Sequence, residues 1–232
     1  MRQYTPYTPM ASFPDVGRLD YSDYWRERGF TLQKKLRERE VLILDLIPTA
    51  SRVLDIGCGN SRLPLDLLKK GCTVTVADVS PIVLDAFREH AIGGVVLDLD
   101  AISNIPNLGS YDYIVMSEVL EHTRNPEEIL KVLAPHTEHF VLTVPNSAFY
   151  PFRLRLFFGG RFLKQWVYHP SEHLRFWSHT DFLDWLHALG FVVEYTRASN
   201  GLSVKGLAPF LKDWWPNLCG HQMVYVCQTN RS

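Results

Sequence analysis

The sequence has few cysteines, no long apolar run and almost no net charge. The four cysteines show no C-x-x-C pair and no metal-ligand spacing, so we expect reduced thiols rather than a disulfide framework. No run of about 18 apolar residues is present, which argues against a membrane-spanning helix. The formal net charge of −1 argues against a general nucleic-acid binder, because such proteins usually present a basic face.

The N-terminal residues also lack the apolar segment of a signal peptide, and are polar and rich in proline instead. Together with the reduced cysteines, this predicts a cytoplasmic protein. The chain has 232 residues, of which 46% are hydrophobic and 21% are charged, and this is enough to bury a full core. No internal repeat or low-complexity tract divides the chain, so we predict one domain over residues 1–232.

What the sequence does contain is an alternation of short apolar runs with helical segments. The predicted strands are RVLDIG, TVTVAD, GGVVLDLD, YDYIVMS, EHFVLTVPN, FVVEYTRA and HQMVYVCQT. This alternation predicts an α/β, Rossmann-like fold with a seven-stranded, mostly parallel sheet and helices on both faces. No clear helix precedes the seventh strand, so we expect that strand to be antiparallel.

Two segments fall outside the alternation. Residues 1–29 are predicted to form an N-terminal arm. The arm is followed by a predicted amphipathic helix over residues 31–47. Residues 145–177, after the fifth strand, break the pattern and are predicted to be an insertion on the substrate side. The two segments are therefore the candidates for selecting a ligand beside the common fold.

A glycine bend follows the first predicted strand, in the run VLDIGCGNSRLP at residues 53–64. In open α/β sheets, ligands bind beyond the carboxyl ends of the strands, and glycine lets the backbone approach a ligand closely. Asp78 ends the second strand, where an acid accepts hydrogen bonds from both hydroxyls of a ribose. Asp98 ends the third strand, where a carboxylate can accept from the exocyclic amine of adenine.

The bend does not match the dinucleotide fingerprint G-x-G-x-x-G, because Arg62 stands where the third glycine belongs. Asp55 beside the bend suits a cation, such as an amino or sulfonium group, better than a pyrophosphate. A ligand with ribose, adenine and a positive charge but no pyrophosphate is S-adenosylmethionine. A nicotinamide-dependent oxidoreductase and a tight turn without a ligand are the alternatives.

In these features the chain resembles the class I S-adenosylmethionine-dependent methyltransferases over about residues 30–228. The resemblance rests on VLDIGCGNSRL, VTVADVSP, VVLDLD and YDYIVMSEVLEHTRNPEEILKVLAP. It implies that the two glycines pass near the methionine portion of the cofactor and that Asp55 acts through water or backbone. The cofactor-binding residues predicted in this way are Asp55, Gly57, Gly59, Asp78, Val79, Asp98, Leu99 and Ser117. Where the family often has a further glycine, this chain has Ser61.

Within that class, the chain is similar to the MetW-like branch of methyltransferase type 11 or 23. The runs TVPNSAFYPFRLRLFFGGRF, HLRFWSHTDFLDWLHALGF and WWPNLCGHQMVYV carry this likeness, and the cofactor half is also similar to ubiquinone-type O-methyltransferases. The resemblance implies methyl transfer to an oxygen or nitrogen of a small or medium organic molecule. It also implies an alternative, a non-catalytic methyltransferase fold that serves a partner enzyme.

Both segments outside the alternation are candidates for binding the methyl acceptor. In the arm, the residues predicted to form a lid are Tyr21, Tyr24, Trp25 and Arg28, and packing of the arm against the core is the alternative. The insertion, which includes Arg153, holds five Lys or Arg residues against one acid, so we expect an anionic or amphiphilic acceptor. A helical hairpin with a solvated basic side and contact with a membrane surface are the alternatives.

Three histidines complete the predicted site. His122 lies near the mouth of the expected pocket and is the candidate catalytic base, with a packing role as the alternative. His169 and His173 are candidates for substrate binding, and a surface turn explains them equally well. Since Pro170 directly follows His169 and no third ligand stands out, we predict no metal site.

Overall fold

The computed structural model of the protein describes residues 20–104, 108–162, 172–202 and 210–229. Its centre is one seven-stranded sheet in the order β3-β2-β1-β4-β5-β7-β6. The strands are β1 (Arg52–Ile56), β2 (Thr73–Asp78), β3 (Gly93–Val96), β4 (Tyr111–Ser117), β5 (Thr137–Pro145), β6 (Phe191–Gly201) and β7 (Gly220–Thr229). Only β7 runs antiparallel to its neighbours, β5 and β6. The predicted seven strands and the antiparallel last strand are confirmed.

Helices cover both faces of the sheet, as the alternation predicts. The helices are α1 (Tyr21–Arg28), α2 (Glu38–Leu46), α3 (Leu63–Lys69), α4 (Pro81–Arg88), α5 (Pro126–Leu133), α6 (Tyr150–Gly159), α7 (His179–Ala188), α8 (Leu211–Trp214) and α9 (Pro216–Cys219). Val53 of β1 packs in a cluster with residues of α2, α3 and α4. Its neighbour Leu54 packs in a second cluster with residues of α5 and α7. Successive strand residues point to opposite faces, so each face of β1 is buried by its own helical layer.

The structure differs from the sequence prediction before β1. The predicted helix over residues 31–47 begins only at Glu38, so its first turns were wrongly assigned. Residues 31–37 lie instead against the glycine bend. There the backbone N–H of Gln33 donates to the Asn60 carbonyl at 2.9 Å, and the Asn60 amide donates to the Thr31 carbonyl at 3.2 Å. These contacts with a distant loop satisfy backbone groups that a helix would otherwise have paired.

The secondary structure differs from the prediction in two further places. Strand β3 ends at Val96, so Asp98 does not end the strand as predicted but lies two residues beyond it, before the 3₁₀ turn Leu99–Asn104. Two helices of four residues each, α8 and α9, lie before β7 where no helix was expected. Neither difference changes the order of the strands.

The described part of the insertion consists of α6 and the segment that leads into α7. Residues 163–171, including the candidate His169, lie outside the described residues, as do residues 1–19 of the arm. The organisation as one domain stays a prediction. All four cysteines are buried and unpaired, as expected. Among the helices of the described residues, none has the length and apolar character needed to cross a membrane.

Candidate cofactor and acceptor site

A cavity of about 590 Å³ opens at the carboxyl ends of β1, β2 and β4. The strand order reverses between β1 and β4, and this is the position at which open α/β sheets bind ligands. The volume falls within the usual range of small-molecule sites. All eight residues predicted to bind a cofactor line this cavity: Asp55, Gly57, Gly59, Asp78, Val79, Asp98, Leu99 and Ser117.

The glycine bend forms one wall, and its backbone geometry depends on glycine. Gly57 has φ +67° and Gly59 has φ +49°, in the left-handed region that side chains disfavour. The N–H of Gly57 donates to the Ala77 carbonyl of β2 at 2.7 Å, which holds the bend against the sheet. A Cβ on Gly57 would lie 2.6 Å from Cγ2 of Val119, a contact that no side chain there can make without a shift.

Asp78 holds the bend and the following turn together. One of its carboxylate oxygens accepts from the N–H of Gly59 at 3.1 Å, and the other accepts from the N–H of Ser80 at 2.9 Å. Burial raises the pKa of Asp78, and these backbone hydrogen bonds oppose the rise. Each oxygen of an ionised carboxylate has a second lone pair. The group therefore positions the loop and can still accept a hydroxyl from the cavity.

Negative charge is concentrated on the floor of the cavity. Asp55 is only 2% exposed, and burial, followed by the charges of Glu40 and Asp78, raises its pKa well above the ordinary value. Glu40 of α2 is also buried and accepts from the Ser61 hydroxyl at 3.0 Å. A cationic group bound beside Asp55 would relieve this repulsion, which agrees with the cation expected from the sequence.

The edge of the cavity beyond β3 and β4 carries the remaining predicted residues. Asp98 lies past the end of β3, where its Oδ1 accepts from the N–H of Asp100 at 3.0 Å. Ser117 ends β4, and its hydroxyl accepts from Nε of Arg39 at 3.1 Å. Arg39 and Arg37 also line the cavity, and sequence reasoning missed both, because they stand at the start of α2 and not at the end of a strand.

Helix α1 covers the cavity from the side of the N-terminal arm. Tyr21, Tyr24 and Trp25 all line it, as expected for a lid. Burial raises the pKa of the Tyr21 hydroxyl above its ordinary value. Arg28, which was predicted to contact the substrate, does not line the cavity, and its guanidinium lies 5.0 Å from the centre of the Tyr24 ring.

His122 lies in the wall under α1, on the 3₁₀ turn Leu120–His122. Its Nδ1 lies 2.5 Å from the Glu172 carbonyl, so Nδ1 carries the proton and Nε2 keeps a lone pair. Burial lowers the pKa of His122, which favours the neutral ring. The ring of His173 packs edge-on against it with the ring centres 4.6 Å apart.

The remaining acceptor candidates are not brought to the cavity. Arg153 on α6 does not line it, and its guanidinium donates to the carbonyls of Ala148 and Asn217. His169 lies outside the described residues. His173 contacts His122 but is not part of the cavity lining, and Glu172, which the prediction left out, is part of it.

A comparison with known protein families gives the family of this chain. A family model described as "Methionine biosynthesis protein MetW" matches residues 37–227. The chain belongs to the MetW family. This confirms the resemblance drawn from the sequence.

Among curated proteins, a ubiquinone biosynthesis O-methyltransferase of Xanthomonas axonopodis pv. citri is 28% identical over 160 residues, which are 64% of this chain and 66% of the relative. A bifunctional methionine biosynthesis protein MetXA/MetW of Rhodopirellula baltica is 25% identical over 169 residues, or 67% of this chain and 27% of the relative. The MetW-family chain thus spans from about a quarter to about two thirds of these two proteins.

Solved structures give the fold of the MetW-family chain. A TehB-like S-adenosylmethionine-dependent methyltransferase from Corynebacterium glutamicum superposes with a TM-score of 0.57 at 20% identity, covering 90% of this chain and 96% of that one. The fold is therefore the class I methyltransferase fold, as predicted.

Proposed function

We propose that this MetW-family protein binds S-adenosylmethionine in the cavity and transfers its methyl group to an oxygen of a small organic molecule. The proposal rests on one observation, the cavity at the point where the strand order reverses. There Asp55, Asp78 and Asp98 line the same cavity as a glycine bend that lacks the dinucleotide fingerprint. The curated O-methyltransferase relative favours oxygen over nitrogen as the acceptor atom.

Each group in the cavity has a role in this proposal. Asp78 accepts the ribose hydroxyls, Asp98 faces the adenine, and the buried charge of Asp55 attracts the cationic methionine end. Tyr21 and Tyr24 exclude water over the reacting groups, because methyl transfer from a sulfonium depends mainly on alignment and desolvation. His122, which lines the cavity, is the candidate base for the proton of an acceptor hydroxyl.

Titration calorimetry tests the cofactor part of the proposal. We expect S-adenosylmethionine and S-adenosylhomocysteine to bind and NAD not to bind. The variant Asp78→Asn should bind both adenosyl ligands about 1–3 kcal/mol more weakly, because the ribose loses a charged acceptor. Asp85→Asn is the matched control, since Asp85 lies exposed on α4, with 63% of its side chain accessible. Equal affinity in Asp78→Asn and the parent protein would place the ribose elsewhere.

A second candidate function is binding to a partner enzyme without catalysis. Helix α6 exposes Leu154, Leu156, Phe157 and Phe158, and the two phenylalanines are 80% and 79% exposed. Exposed apolar patches of this kind often mark interaction surfaces. The Rhodopirellula relative is named as a bifunctional protein, of which this chain matches about a quarter. A folded chain that binds neither adenosyl ligand would favour this function over methyl transfer.

A further inference from the structure

Three potential metal ligands converge behind the wall of the cavity. Glu121 and His122 lie on the turn after β4, and His173 comes from the segment before α7. One ligand atom from each of the three residues lies within 4.8 Å of the others. Backbone hydrogen bonds hold the two segments together, because the Glu121 carbonyl accepts from the N–H groups of Leu174 at 2.7 Å and Arg175 at 3.1 Å.

The buried carboxyl group of Glu121 would be stabilised as a carboxylate by a bound cation. Glu121 is only 1% exposed, and neither of its carboxylate oxygens has a hydrogen-bond partner among the described residues. Oε1 of nearby Glu118 is also buried without a partner, while its Oε2 accepts from the amide of Gln222 at 2.9 Å. A buried, unpaired carboxylate is strongly unfavourable unless it is protonated or a positive charge or a metal compensates it.

The ring of His122 is oriented as metal-binding imidazoles usually are. Its Nδ1–H donates to the backbone carbonyl of Glu172, which fixes the tautomer and leaves Nε2 to bind a ligand. Metal-bound histidines commonly have this second hydrogen bond to a backbone carbonyl or a carboxylate. The nearly perpendicular ring of His173, at 81° to that of His122, brings a second imidazole to the same place.

We propose that Glu121, His122 and His173 bind a divalent transition-metal ion, with zinc as the best fit to two imidazoles and one carboxylate. Ligand atoms about 2.0–2.1 Å from a tetrahedral ion lie roughly 3.4 Å apart. The three side chains therefore need to approach one another by at most about 1.4 Å when the ion binds, since their ligand atoms lie within 4.8 Å. Three protein ligands leave one position open, which is the arrangement of catalytic rather than structural zinc sites.

The open position gives the ion a chemical role that rests on the proposed function. Of the three ligands only His122 is among the described residues that line the cavity, so an ion on its Nε2 would lie at the cavity wall, where it could meet an acceptor hydroxyl. Coordination would lower the pKa of a bound hydroxyl, so that its proton is lost to solvent. The resulting oxygen anion would form a bond to the methyl carbon while the carbon–sulfur bond breaks, and S-adenosylhomocysteine would leave as the neutral thioether. A histidine that binds the ion cannot also take this proton, and the assignment replaces the role of base predicted for His122.

This assignment departs from the sequence prediction that no metal site exists. The sequence offered His169 and His173 as a pair and no third ligand. The fold supplies two other ligands instead, since the turn after β4 and the segment before α7 lie about 50 positions apart in sequence and are paired by backbone hydrogen bonds. Contacts between such distant segments do not follow from residue spacing.

The test uses the full chain, treated with a chelator and then titrated with Co²⁺ followed by visible absorption, and with Zn²⁺ followed by calorimetry. We expect one ion per chain, and at least about tenfold weaker binding in Glu121→Gln and in His173→Ala, because each loses one of three ligands. His187→Ala is the control, since His187 lies exposed on α7. Glu121→Gln keeps the shape of its side chain and serves if the histidine variant does not fold.

Absence of Co²⁺ binding, or equal binding by the parent and both site variants, would overturn the metal site. Titration of the chelator-treated protein with S-adenosylhomocysteine separates this failure from failure of the proposed function. If the adenosyl ligand binds and the metal does not, the methyltransferase proposal stands and the metal site falls. If Co²⁺ binds as expected and the adenosyl ligand does not, the metal site stands without the proposed chemistry.

Discussion

At the scale of single residues, the glycine bend contains a position where a side chain is excluded for two reasons. Gly57 combines a left-handed backbone with a side-chain neighbour, Val119, that leaves no room for a Cβ. We expect Gly57→Ala to lower the free energy of unfolding by about 2–4 kcal/mol, the sum of left-handed strain and overpacking. The same variant should also bind S-adenosylhomocysteine more weakly, because the bend forms the cavity wall.

Gly190→Ala separates these two effects. Gly190 has a similar φ of +83°, but a Cβ there would have no atom within 4 Å. Its substitution should cost only the backbone strain, about 1–2 kcal/mol, and leave ligand affinity unchanged. Urea unfolding and calorimetry measure both quantities. A Gly57→Ala protein that is as stable as Gly190→Ala and binds normally would contradict the contact with Val119.

Much of the candidate cofactor site was predictable at this scale, and part of it was not. Asp55 was found because it stands beside the glycine bend, and Asp78 because it ends a strand; the carboxyl ends of parallel strands meet at one edge of the sheet. Arg39 and Glu121 carry no such signal, because the packing of α2 and the turn after β4 decides where they lie. Arg153 does not line the cavity, since its basic character says nothing about the direction of α6.

At the scale of elements, one asparagine joins β5, α7 and the start of β7. Asn146 is fully buried directly after β5. Its side chain accepts from the N–H groups of Ala148 and His179 and donates to the carbonyls of Pro216, Asn217 and Gly220. We expect Asn146→Ala to lower the free energy of unfolding by about 3 kcal/mol or more, because several buried backbone groups lose their partner.

The neighbouring Ser147 gives a control for Asn146. Its hydroxyl makes one partly buried hydrogen bond, to the Trp177 carbonyl at 2.7 Å. Ser147→Ala should therefore cost about 1 kcal/mol in the same chemical denaturation experiment. A loss in Asn146→Ala no larger than that in Ser147→Ala would mean that water or a local shift satisfies the freed groups.

The helices and strands were predicted from the sequence more accurately than the residues at which they begin and end. All seven strands were found, because buried strands read as short apolar runs between turns. The wrong start of α2 came from a segment whose hydrogen bonds go to Asn60 on the bend, a partner that periodicity cannot show. The two short helices before β7 are too brief to produce a helical pattern.

At the scale of the whole molecule, the formal net charge is only −1, but the charged groups are unevenly distributed in the fold. Buried carboxyl groups gather at the carboxyl end of the sheet, where the charges of Glu40 and Asp78 act on Asp55. Arg39, whose guanidinium binds Ser117 and Gln222, is the basic group packed nearby from α2. The protein without ligand therefore carries an electrostatic cost that depends on pH.

The sign of that dependence follows from the raised pKa of Asp55. Between the unfolded pKa of about 3.9 and the higher folded pKa, the folded state binds more protons than the unfolded state. The contribution of Asp55 to stability is thus most favourable at low pH and is lost as the pH rises through its folded pKa. Asp78 acts in the same direction, because burial raises its pKa as well.

Replacing Asp55 by asparagine should remove its part of this dependence. We expect Asp55→Asn to have nearly the parent's free energy of unfolding near pH 4, and to become the more stable protein as the pH rises towards about 8. Urea unfolding at several pH values measures the difference, with the exposed Asp85→Asn as control. Burial lowers the pKa of His179, which makes the stability rise with pH instead. Both proteins contain His179, so its contribution cancels from the difference between them. A difference that does not change with pH would mean that Asp55 titrates normally and that the floor of the cavity holds no unfavourable charge for a cationic ligand to relieve.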